Sequence, residues 1–180
     1  RKYLGSEVCQ ILNSHWGYAE NDFAYKSVEG LIHEFARCRR YGANYLLNVG
    51  PQPDGSIRLI EQGIFQEIGK WVSVYQEALY CVRPTDAVCD GDNFVLRGDN
   101  NAYYLFVPGM GVLGPGNVMF KIENMVRVLI RDFPQPVRRI FWIEDGQELK
   151  FSQDGSTVDI ECTQYEYGRN YVVRVAKIEV

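Results

Sequence analysis

The chain has 180 residues, of which 46% are hydrophobic and 23% are charged, and 19 Lys and Arg against 23 Asp and Glu give a formal net charge of -4. This composition is typical of a folded globular protein of one domain or a small pair, and it excludes a chain that is disordered for want of hydrophobic residues. The acidic balance argues against nucleic acid or an anionic lipid surface as a partner, and the apolar runs are too short to span a bilayer.

The first half of the chain has the pattern of an α/β fold. A possible strand covers residues 8–12, and apolar residues then recur at helical spacing over residues 27–41. Ser27 is a plausible N-cap of this helix and Gly42 is placed to end it. The continuously apolar run at residues 45–49 predicts a strand buried on both faces, as in a parallel sheet.

A second helix is predicted after a turn at Pro53-Asp54-Gly55. One stripe of this helix carries its apolar residues, which are Ile60, Ile64, Ile68, Trp71, Val72 and Tyr75. One or two parallel strands cannot satisfy their backbone groups without neighbours. We therefore expect the sheet to be completed by residues upstream of Arg1 or by a second chain.

After Tyr80 the helical period gives way to short β-rich runs. Strands are predicted at residues 94–96, 102–107, 125–130, 137–143, 157–162 and 171–180, with turn clusters between them at residues 90–93, 114–117 and 153–156. Short strands with regularly spaced turns predict an antiparallel sandwich. The boundary between the two halves is expected near residues 80–84.

Several segments between residues 6 and 84 have a characteristic order and spacing. They are Ser14-His15-Trp16-Gly17-Tyr18, Tyr25-Lys26-Ser27, residues 42–51 (GANYLLNVGP), Asp54-Gly55-Ser56-Ile57, Ile68-Gly69-Lys70-Trp71, Glu77-Ala78-Leu79-Tyr80 and Arg83-Pro84. In these segments the chain resembles the family 29 glycoside hydrolases, the α-L-fucosidases. The Asn-x-Leu-Leu-Asn-Val-Gly-Pro segment is the most specific element, and the remainder resembles the family's C-terminal β-sandwich by strand pattern alone.

The resemblance implies an architecture. Members of the family have a catalytic (β/α)8-like barrel followed by a β-sandwich. Residues 1–80 would then be the C-terminal tail of the barrel, with residues 44–49 as its last strand and residues 57–75 as its last helix, and residues 81–180 would be the sandwich. Most of the barrel would lie upstream of Arg1.

The resemblance also implies a reaction, the retaining hydrolysis of terminal α-L-fucosyl linkages in glycoconjugates. Retention needs a nucleophile and an acid/base carboxyl about 5–5.5 Å apart. In the family both precede the segment that Ser6-Glu7 matches, so no catalytic residue is assigned here and the chain alone is expected to be inactive. Glu7 is expected to have a structural or hydrogen-bonding role. Solvated positions at caps, helix faces or turns are expected for the other acidic residues considered, Asp22, Glu29, Glu34 and Asp54, and Glu144-Asp145 reads as a turn.

Trp16 is the residue assigned to substrate binding. In the family motif an aromatic residue at this position lines the fucose pocket, where it packs against the apolar face and methyl group of the sugar. The alternative for Trp16 is a place in the core. His15 is a weaker candidate, and His33 is expected to be structural. Asn48 either contacts the substrate or serves the backbone of a neighbouring loop.

The sequence predicts no cofactor and no metal site. Two histidines cannot form a cluster with the five scattered cysteines, Cys9, Cys38, Cys81, Cys89 and Cys162. Most of these cysteines are expected to be small buried hydrophobes, although Cys81 and Cys89 could pair. Family habit implies a secreted, periplasmic or lysosomal location.

A second hypothesis is a non-catalytic module whose β-sandwich binds carbohydrate or a partner protein. Its sugar platform would use aromatic residues of the second half, which are Tyr103, Tyr104, Trp142, Tyr165 and Tyr167. The alternation of side chains along strands would turn about half of them toward the core.

Overall fold

The structure is a computed structural model that describes residues 5–99, 101–114 and 125–180. Of the turn predicted at residues 114–117, all but the first residue lie outside these ranges. The chain divides into two compact units, one ending at Val74 and the other beginning at Tyr75. The assignment of residues 1–80 to a barrel and of residues 81–180 to a sandwich stays a prediction.

The first unit contains two strands and two helices. In chain order they are β1 (Glu7–Ile11), α1 (Val28–Arg40), β2 (Asn44–Asn48) and α2 (Leu59–Leu79), which continues into the second unit. The strands pair in parallel, with Glu7 opposite Asn44 and Ile11 opposite Asn48. The possible strand at residues 8–12 is therefore present, and its parallel partner is the one predicted from the apolar run.

Helix α1 has the ends that the sequence predicts. The Ser27 side chain accepts a hydrogen bond of 3.0 Å from the Gly30 amide, which satisfies one of the free N–H groups of the first turn. Gly42 has a φ of +69°, the left-handed conformation that ends many helices. One side of α1 packs on β2, where Phe35 stacks on Tyr45 with ring centroids 5.6 Å apart.

Strand β2 is not buried on both faces, contrary to the prediction. Tyr45 packs against α1, whereas Asn44 is exposed and Leu46 is 41% exposed. The physical reason is that, among the described residues, the sheet has only two strands and one covering layer.

Most of the apolar stripe predicted for α2 is buried. Ile64, Ile68 and Trp71 are buried, but Ile60 is 49% exposed, so the stripe starts one turn later than predicted. The helix also extends four residues beyond Tyr75. The backbone of Tyr75 itself departs from helical geometry (φ −108°, ψ 16°).

The second unit is an antiparallel β-sandwich. Its strands are β3 (Val82–Pro84), β4 (Val88–Cys89), β5 (Phe94–Gly98), β6 (Ala102–Pro108), β7 (Met125–Arg131), β8 (Arg139–Trp142), β9 (Lys150–Asp154), β10 (Thr157–Thr163) and β11 (Val173–Glu179). They form a five-stranded sheet in the order β3-β5-β6-β11-β8 and a four-stranded sheet in the order β4-β7-β10-β9. Both sheets contribute to one core, for example Leu105 and Ile178 from the first and Ile130 and Ile160 from the second.

All six strands predicted in this half are present, and three short ones were missed. Strands β3 and β4 have three and two residues, too few to show a period. Strand β9 is a mostly polar edge strand with an alternately exposed face. No helix in the described ranges is long and apolar enough to cross a membrane.

Candidate functional site

The candidate site is built on the loop between β1 and α1, residues 12–27, here named the β1–α1 loop. Because β1 and β2 are parallel, their carboxyl ends meet at the same edge, and α/β proteins place their sites at this edge. The base of the loop is closed where the Lys26 amide donates a hydrogen bond of 2.8 Å to the carbonyl of Leu12, whose side chain is buried. The loop is thus anchored at both of its ends.

A buried carboxylate organises the interior of the β1–α1 loop. The Asp22 side chain is 6% exposed and accepts hydrogen bonds of 2.9 Å from the amides of Ser14 and Ala24. It also lies 2.7 Å from Nδ1 of His15. The bonds from the Ala24 amide, His15 and the Ser14 amide lower the pKa of Asp22 to about 2. The expectation of a solvated Asp22 is therefore wrong, because the loop folds back on itself around this side chain.

Trp16 is 58% exposed and lies at the tip of this loop, so the alternative of a core position does not hold in this chain. Its carbonyl oxygen accepts a hydrogen bond of 2.6 Å from Nδ2 of Asn48, the last residue of β2. Of the two roles considered for Asn48, the structure shows the service to a neighbouring backbone.

A glycine brings the same loop against the end of β2. A Cβ added to Gly50 would lie 2.3 Å from the carbonyl carbon of Gly17 and 2.6 Å from the nitrogen of Tyr18. Such distances are far inside van der Waals contact, so only glycine fits at position 50. The Asn48-Val49-Gly50 segment therefore holds the backbone around Trp16 with one hydrogen bond and one close approach.

Arg58 also supports the loop, and no pattern in the sequence indicated it. Its guanidinium donates hydrogen bonds to the carbonyls of Ala19 (2.6 Å) and Glu20 (3.0 Å). The same group lies 4.8 Å from the centroid of the Tyr18 ring, within the range of a cation–π contact. A single Arg after a turn does not form a recognisable motif. Its partners lie nearly forty residues earlier in the chain, so residue spacing could not indicate them.

Glu7 has the hydrogen-bonding role expected of it. Its Oε2 accepts a hydrogen bond of 2.5 Å from Nδ2 of Asn44, and the thiol of Cys9 lies 3.6 Å from Oε1. Glu7 and Asn44 begin the two strands, at the end opposite to Trp16. Glu7 is therefore far along the strand from the candidate site.

The other acidic residues that the sequence analysis considered in the first unit divide into two kinds. Glu29 and Asp54 are exposed, as expected, and Asp54 accepts hydrogen bonds from Ser56 in its turn. Glu34 is not merely solvated, because it bonds Lys26 at 3.3 Å and accepts a hydrogen bond of 3.0 Å from the Tyr45 hydroxyl. His33 is half-buried within α1, which fits a structural role.

The aromatic platform considered for the second unit does not exist. Tyr103, Tyr104, Trp142 and Tyr165 are all at most 1% exposed, and Tyr167 alone of the five is open to solvent, at 68%. The four buried rings pack in the interior of the unit and are not accessible to a sugar. The interpretation of these residues as a carbohydrate platform is therefore wrong.

A buried ion pair lies in the same unit. Glu144 and Asp145 form a turn, as predicted, but the Glu144 side chain is 1% exposed and pairs with the guanidinium of Arg174, which is 4% exposed. Arg174 also donates a hydrogen bond of 2.7 Å to the Thr163 carbonyl and lies 4.1 Å from the Trp142 ring centroid. The turn was visible in the sequence, whereas the inward direction of Glu144 was not.

None of the five cysteines forms a disulfide, so Cys81 and Cys89 are not bonded to each other. Cys38 and Cys162 are buried as expected, but Cys9 and Cys81 are exposed. Within residues 5–99, 101–114 and 125–180 there is no group of three His, Cys, Asp or Glu side chains that could hold a metal ion.

Comparison with known proteins finds sequence similarity over the first unit and a few residues beyond it. Residues 5–77 match the family model described as Alpha-L-fucosidase. The chain is 38% identical over 82 residues to tissue alpha-L-fucosidase of Homo sapiens, an alignment covering 43% of this chain and 17% of that protein. It is 31% identical over 77 residues to plasma alpha-L-fucosidase of Homo sapiens, covering 41% of this chain and 16% of that protein.

Solved structures share the fold of nearly the whole chain. Alpha-L-fucosidase isoenzyme 1 from Paenibacillus thiaminolyticus superposes with a TM-score of 0.76 at 18% identity, over 96% of this chain and 39% of that one. Thermotoga maritima alpha-fucosidase superposes with a TM-score of 0.73 at 20% identity, over 96% and 39%. The chain spans about a sixth of the length of the curated relatives it matches and about two fifths of these structures.

Residues 5–77 thus carry a sequence signature of the α-L-fucosidases, which are glycoside hydrolases, and the rest of the chain shares the fold of the solved structures alone. The resemblance stated from the sequence is thereby confirmed.

Proposed function

We propose that this chain is the C-terminal part of a retaining α-L-fucosidase that hydrolyses terminal α-L-fucosyl linkages in glycoconjugates, and that Trp16 lines its fucose pocket. The observation that carries the proposal is the exposed Trp16 side chain, held by Asn48 and Gly50 at the carboxyl edge of two parallel strands. The match of residues 5–77 to the family supports the same function.

The chemistry of the sugar suits Trp16. A 6-deoxy sugar presents a patch of C–H groups and a methyl group, and an indole face is a large apolar surface that can cover them. A side chain that is 58% exposed at a site edge leaves that apolar area open to a ligand. Burying it on binding contributes about 25 cal/mol per Å² of apolar surface.

The two carboxyl groups of a retaining mechanism are expected on the part of the barrel that precedes Ser6. The acidic residues near the site fit other roles. Asp22 is buried, accepts bonds from two amides and contacts His15, and its pKa of about 2 does not suit a proton donor near neutral pH. Glu7 lies at the opposite end of β1.

The incomplete sheet supports a larger assembly. Leu46 is 41% exposed and Val8 is 37% exposed on opposite faces of the two strands, and a barrel covers one face with helices and the other with opposing strands. We propose that the missing N-terminal portion of the barrel, or a second chain, supplies the covering strands and helices, and that the substrate is a fucosylated glycan. The proposed location is secreted, periplasmic or lysosomal.

The test is hydrolysis of 4-nitrophenyl α-L-fucoside by the complete protein that contains this chain, with the 180-residue chain alone expected to be inactive. W16A should lower kcat/KM by about 10–100-fold, since about 1.4 kcal/mol of lost binding is a factor of ten, and W16F should lose less. Y41A is the matched control, because Tyr41 is also an exposed aromatic (70%) but caps the far end of α1. NMR should detect α-fucose as the first product.

Unchanged kinetics of W16A would refute the pocket assignment. A first product with the β configuration would refute retention. A complete protein with no action on fucosides would refute the function itself.

A further inference from the structure

The imidazole of His15 is exposed beside Trp16 at the tip of the β1–α1 loop. His15 directly precedes Trp16 in the chain. Its side chain is 58% exposed, yet its Nδ1 lies 2.7 Å from an Asp22 carboxylate that is itself 6% exposed. An exposed histidine is ordinarily free to rotate, but this one is hydrogen-bonded to a buried carboxylate that is itself held by the Ser14 and Ala24 amides. The arrangement fixes the direction of the ring at the place where the proposed sugar site begins.

The hydrogen bonds define the free nitrogen of the ring. Asp22 accepts from the amides of Ser14 and Ala24, and an ionised carboxylate can only accept. In the neutral ring Nδ1 must therefore carry the proton that is donated to Asp22, which leaves Nε2 with a lone pair. Among the residues that the structure describes, none is bonded to Nε2.

We propose that His15 is a second sugar-contacting residue, whose Nε2 accepts a hydrogen bond from a hydroxyl of the substrate while Trp16 covers an apolar face. The inference rests on the proposed function, because it takes the substrate to be a fucosylated glycan. In the form of the ring in which Nε2 carries no proton, this nitrogen can accept a hydrogen bond from a sugar hydroxyl. The hydroxyl belongs either to fucose or to the sugar to which fucose is linked, and the two sources can be separated by experiment.

Rigidity is what makes the contact specific. Asp22 orients the ring, Asn48 fixes the carbonyl of Trp16, and Gly50 allows the end of β2 to approach Gly17. A side chain already held in its binding geometry loses little conformational entropy when the ligand arrives. His15 therefore contributes to substrate binding rather than to the chemical step. We expect its loss to raise KM more than it lowers kcat.

Two substitutions separate the nitrogens of the ring in the complete protein. The amide nitrogen of H15N occupies nearly the place of Nδ1, so it can keep the bond to Asp22 while Nε2 is removed. The amide of H15Q reaches nearly the place of Nε2. H15N should raise KM by about 3–10-fold, the value of one hydrogen bond, with kcat changed less than about twofold. H15Q should recover part of this loss.

Two substrates identify the hydroxyl. If H15N raises KM for both 4-nitrophenyl α-L-fucoside and a fucosylated lactose, the hydroxyl is on fucose. If KM rises only for the fucosylated lactose, the hydroxyl is on the neighbouring sugar. Unchanged KM for both substrates would overturn the inference while the proposed function stands. A wild-type protein inactive on both would overturn the proposed function and this inference with it.

A measurement on the wild-type protein covers the case in which H15N unfolds. Diethyl pyrocarbonate acylates exposed imidazole nitrogens, and peptide mapping reads the modification at His15 and His33 separately. Saturating fucose or fucosylated lactose should slow acylation of His15 and leave that of His33 unchanged. Equal rates at His15 with and without either sugar would overturn the proposal.

Discussion

The side-chain amide of Asn48 donates a hydrogen bond of 2.6 Å to the carbonyl oxygen of Trp16, across 32 residues of sequence. Asn48 is the last residue of β2, so the position of the loop tip is tied to the end of a strand rather than left to the loop itself. A binding residue on a loop gains precision when a regular element supports it. Asn48 is thus a positioning residue for Trp16.

Removal of this donor should weaken sugar binding. N48A is expected to raise KM for a fucoside by about 2–10-fold, because a net hydrogen bond is worth about 0.5–1.5 kcal/mol. N48D should be worse, since it sets a carboxylate against a carbonyl and both are acceptors. Steady-state kinetics of the complete protein measures both variants.

The control for this prediction is N93A. Asn93 makes a bond of the same kind, to the Asp90 carbonyl at 3.0 Å, in the second unit. KM should be unchanged in N93A. A KM for N48D equal to that of the wild type would contradict the positioning role of Asn48.

Gly50→Ala should damage the same loop by steric overlap. The new methyl group would lie 2.3 Å from the Gly17 carbonyl carbon, and the preceding residue, Trp16, is held by its bond from Asn48. We expect a loss of about 2–4 kcal/mol in the free energy of unfolding, the range of overpacked or strained sites. Urea denaturation measures it.

The matched control is Gly69→Ala, in the middle of α2, where an added Cβ meets nothing within 4 Å. Here alanine should gain up to about 1 kcal/mol through helix propensity. If G50A were as stable as G69A, the close approach of Gly50 and Gly17 would not be real.

Asp22→Asn should destabilise the β1–α1 loop at neutral pH, and the effect should fade in acid. The folded-state pKa of Asp22 is lowered to about 2, first by the Ala24 amide and then by His15, whereas an unfolded Asp titrates near about 3.9. Because the folded value is the lower one, the stabilising effect is complete above about pH 4 and is lost as pH falls through about 2. Unfolding free energies of wild type and D22N should converge over that range.

Glu67→Gln is the control for the acid series. Glu67 forms an exposed i,i+3 pair with Lys70, and such pairs are worth about 0–0.5 kcal/mol. The stability of E67Q should track that of the wild type at each pH. A difference between wild type and D22N that persisted unchanged at pH 2 would refute the role assigned to the Asp22 carboxylate.

Arg174→Met should strongly destabilise the sandwich, because it leaves Glu144 buried without its cation. Removing one partner of a buried pair costs about 3–5 kcal/mol. The double variant R174M/E144Q should recover part of this loss, since no uncompensated charge then remains. Thermal or urea unfolding measures all three proteins.

Arg139→Met serves as the surface control, because the Arg139–Glu148 pair is 46% and 67% exposed. Its effect should stay within about 1 kcal/mol. A single variant R174M no more destabilised than R139M would show that the Arg174–Glu144 pair does not hold the sandwich together.

Local chemistry made part of the fold predictable. Ser27 and Gly42 mark the ends of α1 because a capping hydroxyl and a left-handed glycine act within one helical turn. The apolar period that placed Ile64, Ile68 and Trp71 in the core also extends over only a few turns. The same period failed for Ile60, which lies in the first turn of α2 and is 49% exposed.

The candidate site was predictable only in part. The motif around Trp16 indicated the family and the exposed aromatic, and the comparisons confirm the family. The sequence analysis expected the Asp22 carboxylate to be solvated and did not single out Arg58. It left two roles open for Asn48.

The sequence by itself thus determined most of the elements, the caps of α1 and the family resemblance of residues 5–77, since these depend on residues a few positions apart. Only the tertiary structure decided that Asp22 turns inward onto His15, that Asn48 binds the backbone of Trp16 and that Glu144 meets Arg174 in the core. Those bonds join residues 7, 32 and 30 positions apart. Their formation depends on how the chain closes on itself, which no local period or turn signal encodes.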